Sequence, residues 1–272
     1  MADRTYEIKE LQLGEILDHS IALMRKEFKL VFTILCFVLI PVQVLWALVS
    51  TAMASQLPEN PIEVTPVQGL QMMGGGLVYL LVLGLFALPL TSGALIYGIA
   101  LRYQERETTP GECFRYGLGM VLPLIGAAIL CGLATGIGFM LCIIPGILLT
   151  LLWFVYQPVL ILERSGVINS FSRSQTLMKG SMMKAFVLGV IMFVLQMAVM
   201  LVAGMFDMFE LGPMFDVVVG VARGIVTGVF VGFNAVVVTV FYFSERCRVE
   251  NLDLQLRTQE VAAETGQEET VL

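Results

Sequence analysis

VVVGVARGIVTGVFVGFNAVVVTVFYF, residues 217–243, contains a single charged residue, Arg223, and runs directly into Ser244-Glu-Arg-Cys-Arg248. A helix crossing roughly 30 Å of hydrocarbon needs about 20 predominantly apolar residues, so this stretch is long enough to span a bilayer. Its basic flank gives it a direction, because Lys and Arg gather at the cytoplasmic ends of membrane spans. Working outward, comparable apolar runs lie at 30–54, 75–100, 119–141, 147–162 and 185–206. Of the 16 Lys and Arg residues, all but Arg223 fall in stretches at alternate ends of these runs. They are Arg4, Lys9, Arg25, Lys26 and Lys29; Arg102, Arg106 and Arg115; Arg164, Arg173, Lys179 and Lys184; and Arg246, Arg248 and Arg257. The connections around 51–73, 142–146 and 207–216 carry only acidic or uncharged residues. This asymmetry predicts an all-α polytopic membrane protein of six spans, arranged as three hairpins, with both termini in the cytoplasm.

The composition agrees. The chain is 57% hydrophobic and 14% charged, against about 25% charged in an ordinary soluble domain. Residues 1–258 read as one membrane domain, and 259–272 as an acidic tail too poor in large apolar residues to pack, hence disordered. The net charge of −6 reflects the outer loops (Glu59, Glu63, Asp207, Glu210, Asp216) and the tail, while the cytoplasmic layer is basic. Nucleic acid is therefore not an expected partner. No cleavable signal peptide is expected, because the first apolar run is longer than an h-region of about 7–15 residues. Cys36, Cys113, Cys131, Cys142 and Cys247 have no metal-ligand spacing and no two face an oxidising compartment, so free thiols are expected.

Each hairpin is preceded by a segment suited to the cytoplasmic headgroup layer. Leu13, Ile16, Leu17, Ile21, Met24 and Phe28 fall on one helical face, opposite Glu15, Asp18, His19, Arg25, Lys26 and Lys29. Val167, Phe171, Met178 and Met182 oppose Arg173 and Lys179 in the same way, and Gly111–Leu118 is a shorter counterpart. Internal echoes point to a threefold repeat. Ser20-Ile-Ala-Leu-Met-Arg25 resembles Ser174-Gln-Thr-Leu-Met-Lys179, and Gly14-Glu15 returns as Gly111-Glu112. The pairs Glu105-Arg106, Glu163-Arg164 and Glu245-Arg246 close the hairpins. They are read as salt bridges at the cytoplasmic interface, or as a ring that docks a cytosolic partner. Pro145-Gly146 predicts a tight external turn.

Few residues suggest chemistry. Gly220, Gly224, Gly228 and Gly232 recur at four-residue spacing and form a groove along one helical face. Ala128, Gly132 and Gly136 form a related stripe in the third span. In lipid, close backbone approach replaces the hydrophobic drive, so these stripes are expected to pack helices, with span six on span three. A homo-oligomer face or a smooth permeation wall is the competing use. Arg223 is expected either to snorkel outward or pair with Asp216, or to contact an anionic lipid or substrate. Gln43, Gln157, Gln196, Thr227 and Asn234 suit hydrogen bonds between helices. His19 has neither a second ligand nor a nucleophile at a readable spacing and is expected to be solvated. No phosphate-binding glycine loop, zinc motif or nucleophile elbow is present, so neither cofactor nor catalytic or metal site is expected.

Leu13-Gly-Glu-Ile-Leu-Asp18, Pro158-Val-Leu-Ile-Leu-Glu163 with Ser174-Gln-Thr-Leu-Met-Lys-Gly180, and Tyr242-Phe-Ser-Glu-Arg246 with Asn251-Leu-Asp-Leu254 together resemble a known prokaryotic family. It is the family named for the membrane domain of glycerophosphoryl diester phosphodiesterase, with related uncharacterised six-span proteins. In the members that give it its name, this domain precedes a soluble phosphodiesterase domain. No such domain is expected in these residues, so the resemblance implies no hydrolase activity and supplies no catalytic residues. The expectation is a non-enzymatic protein of a prokaryotic cytoplasmic membrane, a scaffold or regulator whose partners are lipids and membrane or cytosolic proteins. The alternative is a transporter or channel for a small or lipid-like anion.

Overall fold

The computed structural model describes residues 9–54, 65–205 and 213–251, without the side chains of residues 54, 203 and 213–217. These residues form helices and no strand. Among the described residues, six segments are long and apolar enough to cross a membrane: Phe28–Met53, Pro66–Tyr103, Val121–Leu141, Ile143–Glu163, Met182–Val202 and Val218–Glu250. The molecule is thus an all-α polytopic membrane protein. Arg4, Glu59, Glu63, Asp207, Glu210, Arg257 and the tail 259–272 lie outside the described residues, as does the side chain of Asp216.

Helix α1 (Leu13–Lys26) leads into α2 (Phe28–Ala54). The face of α1 that packs is Ile16, Ser20, Leu23 and Met24. Ile21 and Phe28, placed on that face by the sequence, are instead 41% and 45% exposed. The last span, α11 (Pro213–Glu250), runs antiparallel to α2. The contact follows the glycine ladder. A Cβ at Gly220 would lie 2.9 Å from the Ala47 methyl, one at Gly224 3.2 Å from Gln43 Cγ, and one at Gly232 2.7 Å from Val31 Cγ1. The ladder therefore seats α2 rather than the third span. Gly132 and Gly136 have no neighbour within 4 Å on that side.

The second span is longer than the sequence reading allowed. Helix α3 (Pro66–Val82) continues through a π-helical turn, Leu83–Ala87, into α4 (Leu88–Tyr103). Residues 66–73 had been expected in an external loop. They are helical because Thr65 and Gln68 cap one another, Thr65 N–H donating to Gln68 Oε1 at 2.9 Å, with Pro66 at the first helical position. The π turn, where Leu88 N–H reaches Leu83 O, precedes Pro89, which has no N–H to continue the regular ladder. Helix α5 (Pro110–Gly119) then starts from a second reciprocal cap, Thr109 with Glu112.

Helix α6 (Val121–Leu141) and α7 (Ile143–Leu152) are joined by Cys142 alone, in extended conformation at φ −169° and ψ 152°. Pro145-Gly146 is therefore not the turn but part of the first turn of α7. There Gly146 lets the hairpin close, since a Cβ would meet the Phe139 ring at 2.4 Å. The fourth span breaks after Leu152 and resumes as α8 (Tyr156–Glu163). Pro158 lacks the N–H that would engage the Phe154 carbonyl, which accounts for the break. Helix α9 (Val167–Met178) covers it: the Ser174 hydroxyl donates to Leu152 O at 2.9 Å, and Phe171 packs on Trp153 and Tyr156. The α10 helix (Met182–Met205) and α11 complete the third hairpin.

The echo between the first and third units has a structural counterpart. Ser20, Leu23 and Met24 are buried in α1 just as Ser174, Leu177 and Met178 are in α9. In addition, Glu105, Arg164 and Asn251, which follow the returning spans, all have positive φ.

Candidate functional site

Hydrogen bonds between distant parts of the chain gather the basic segments at one end of the bundle. Leu11 N–H donates to Ser244 Oγ at 2.9 Å, and Lys184 Nζ lies 3.0 Å from Glu10. Arg102 Nε is 3.4 Å from Glu27. The start of α1, the ends of α4 and α11, and the start of α10 therefore share one layer. Helix α11 has 38 residues, about 57 Å at about 1.5 Å per residue, so it extends well past a hydrocarbon layer of roughly 30 Å into this zone.

Within the layer, α8, α9 and α11 are laced by a closed ring of charges. Glu163 accepts from Arg173 Nε at 3.0 Å and from the Tyr242 hydroxyl at 2.8 Å. Arg173 also donates to Glu250, which accepts from Arg246 Nε at 2.9 Å. Arg246 returns to the Tyr242 hydroxyl at 3.3 Å and stands 4.0 Å from Glu163. The two carboxylates and two guanidinium groups balance. Burial works against the charge on Arg173, but its hydrogen bonds to Glu250 and Glu163 carry its pKa upward.

Glu245 belongs to a second, buried clip. Its Oε2 accepts from the Ser181 hydroxyl and from Arg248 Nε at 2.6 Å. Arg248 also donates to the Leu177 and Lys179 carbonyls, both at 2.9 Å, tying the end of α9 to α11.

Glu163 and Glu245 thus engage other arginines than the ones next to them in sequence. Adjacent residues on a helix point about 100° apart, so Glu245 reaches Arg248 and Arg246 reaches Glu250. Two of the three pairs do converge, through Glu163 and Arg246. Glu105 and Arg106 are exposed and stand outside that ring. Arg173, Tyr242, Ser181 and Arg248 were missed as members of the network. Spacing at i+3 and i+4 within 245–250 was the available signal for Arg248 and Glu250; nothing in the sequence announced Ser181 or Tyr242.

Beside the ring, a cleft of about 640 Å³ opens between α4, α5, α6 and the 164–166 turn. Tyr97 and Tyr116 stack in its wall with ring centroids 3.8 Å apart. The Tyr116 hydroxyl donates to Ile161 O at 2.5 Å and accepts from Arg164 Nε at 3.2 Å. The Arg164 guanidinium also lies 5.2 Å from the centre of that ring. The hydrogen bond to Tyr116 raises the pKa of Arg164, an exposed residue. Arg115 is exposed at the rim, and Met120, Pro123 and Leu160 line the apolar part.

Arg223 is far from this layer along α11. Its charge acts on the Tyr79 hydroxyl, which donates to Gln43 Oε1 at 2.9 Å, and Tyr79 stacks on Trp46. His19 is half-buried on α1 rather than fully solvated. All five cysteines are free thiols. No protein-family model, curated protein or solved structure matches this chain.

Proposed function

We propose that the protein is a non-enzymatic scaffold or regulator of a prokaryotic cytoplasmic membrane, with its termini in the cytoplasm, and that it contacts lipids and partner proteins through its basic end. One observation carries this role: the interfacial helices α1, α5 and α9 lie at the same end of the bundle as exposed Arg25, Lys26, Lys29, Arg106, Arg115, Arg164 and Lys179. Basic clusters of this kind attract anionic headgroups, each Lys or Arg near the surface contributing about 1 kcal/mol. The buried charges are held in the ring and the clip, where they fasten helices together. Kinship with the phosphodiesterase membrane-domain family is part of the proposal, supported by the short motifs at 13–18, 158–163, 174–180 and 242–246.

Flotation with vesicles and crosslinking in membranes test the role. The purified protein should crosslink reproducibly to lipid or to the same membrane or cytosolic partners, and this should weaken when Arg25, Lys26 and Lys29 are changed to Gln. Failure to recover any lipid or partner would overturn it.

A second reading, a transporter of a small or lipid-like anion, is favoured by one feature: Arg223 sits in the opposite half of the bundle beside Tyr79 and Gln43. Flux into proteoliposomes that is lost in Arg223→Gln would select transport over scaffolding.

A further inference from the structure

We infer that the cleft between α4, α5 and α8 is a binding site for a phosphate-bearing anion, and that the phosphodiester headgroup of an anionic phospholipid is its natural occupant. The inference rests on the lipid-contacting role proposed above and gives it a specific place.

The first support is the state of the two arginines. Arg164 uses Nε on the Tyr116 hydroxyl and its face on the Tyr116 ring, which fixes the plane of the guanidinium. Its terminal nitrogens have no partner among the described residues, and neither has Arg115. Planar guanidinium groups match phosphate oxygens with paired donors, which a point-like ammonium does not. Arg164 is also held in an uncommon backbone state, at φ 49°, and its side chain lines the cleft.

The second support is the fate of the one acidic side chain in the wall. Glu112 is occupied by the start of its own helix: its Oε2 accepts from Thr109 N–H at 3.2 Å and from the Thr108 hydroxyl at 3.3 Å. Two cationic groups therefore face the cleft against one carboxylate that is already engaged. The excess is positive.

The third support identifies the source of the phosphate. The floor is apolar, formed by Met120, Pro123 and Leu160, and beside it Leu118 and Leu122 are 53% and 82% exposed. A free phosphate would gain nothing from that surface. A lipid lays its acyl chains along it while the headgroup meets the arginines, at the depth where the basic layer begins. The stacked Tyr97–Tyr116 pair suits the same boundary, because aromatic rings with a polar tip favour the headgroup region.

Native mass spectrometry of the full chain, released from detergent, tests this with added phosphatidylglycerol, phosphatidylethanolamine, inorganic phosphate or glycerol 3-phosphate. Phosphatidylglycerol should give a retained adduct, and retention should fall about tenfold in Arg115→Gln/Arg164→Gln. Arg106→Gln removes an exposed charge of the same basic end but outside the cleft, and should lower retention far less than the double variant does. Arg115→Gln alone, at an exposed side chain with no structural partner, should bind less while melting at the wild-type temperature, which separates lost binding from lost folding. If the double variant keeps the adduct, the cleft assignment is overturned although lipid contact stands; if wild type gives no anionic-lipid adduct, both fall. Equal loss in Arg106→Gln would overturn a defined site in favour of diffuse attraction. Protection from heat by inorganic phosphate or glycerol 3-phosphate, without a lipid adduct, would overturn the lipid as source.

Discussion

Glu245 has no exposed surface, and its carboxylate is met by the Ser181 hydroxyl and by Arg248 Nε, while Arg248 Nη2 serves both the Leu177 and Lys179 carbonyls. Removing one member of a buried charge pair leaves the other uncompensated, at a cost of about 3–5 kcal/mol. Glu245→Ala should therefore lower thermal stability in detergent sharply, whereas Glu245→Gln, still an acceptor for Ser181, should cost less. The glycines of α11 differ in the same physical terms. A Cβ at Gly228 would meet Leu35 and Leu39 at an ordinary 3.7 Å, while at Gly220 and Gly232 it would strike Ala47 and Val31. Gly228→Ala should be tolerated; Gly220→Leu and Gly232→Leu should each cost about 1–3 kcal/mol or more, as overpacking does. Gly132→Leu, where nothing lies within 4 Å, should stay within about 0.5 kcal/mol of wild type. Melting curves of the four variants side by side provide the check. Cys113 adds a reactivity prediction. Burial pushes its thiol pKa above the usual range, so the nucleophilic thiolate is scarce at neutral pH and alkylation should rise only as the pH climbs past the ordinary thiol range.

At the scale of the element, the fourth span shows what a proline does when a neighbouring helix can answer it. The break that accompanies it frees a further carbonyl, because Tyr156 N–H turns to Trp153 O, and Leu152 O finds the Ser174 hydroxyl of α9 instead. Ser174→Ala should leave that carbonyl unsatisfied at about 1–3 kcal/mol, read as faster amide exchange across Trp153–Tyr156; Ser174→Thr should restore protection. The sequence reading runs the span 147–162 straight through Pro158, and the Ser174 contact is not legible there either, because a bond across 22 positions leaves no periodic trace. The start of α3 was legible and overlooked: Thr65-Pro66 with Gln68 is a capping signature, and the weak apolar character of 66–73 outweighed it. The misplaced turn at Pro145-Gly146 has a different origin. Proline is at ease in the first turn of a helix, so the pair marks the entry into α7 as readily as a loop. The buried face of α1 was displaced for a related reason: Ser20 bonds its own helix at Ile16 O, 2.6 Å away, and is buried as a small residue that apolar periodicity does not count.

For the molecule as a whole, the spans were legible because crossing a bilayer imposes length and hydropathy on each one separately. Their pairing was not. Lipid is as apolar as the side chains it surrounds, so hydropathy does not choose between neighbours, and Gly132/Gly136 and Gly220/Gly232 look alike until the backbones are placed. The same limit applies to the cleft, whose Tyr97, Arg115 and Arg164 come from three separate segments. What charge does specify is orientation, and Cys142 allows it to be measured without adding a reporter. It is the exposed one-residue link between α6 and α7, at the end of the bundle away from the basic layer; Cys113 and Cys247 are buried near that layer, and Cys36 and Cys131 lie within spans. On the proposed orientation, a membrane-impermeant maleimide added to intact spheroplasts labels the protein, and Cys142→Ser abolishes the label. Lysing the spheroplasts should add little, since the thiols on the basic side are enclosed. Labelling that appears only after lysis and still depends on Cys142 would invert the molecule and place its basic helices against the outer leaflet, where the attraction to anionic cytoplasmic lipid could not operate.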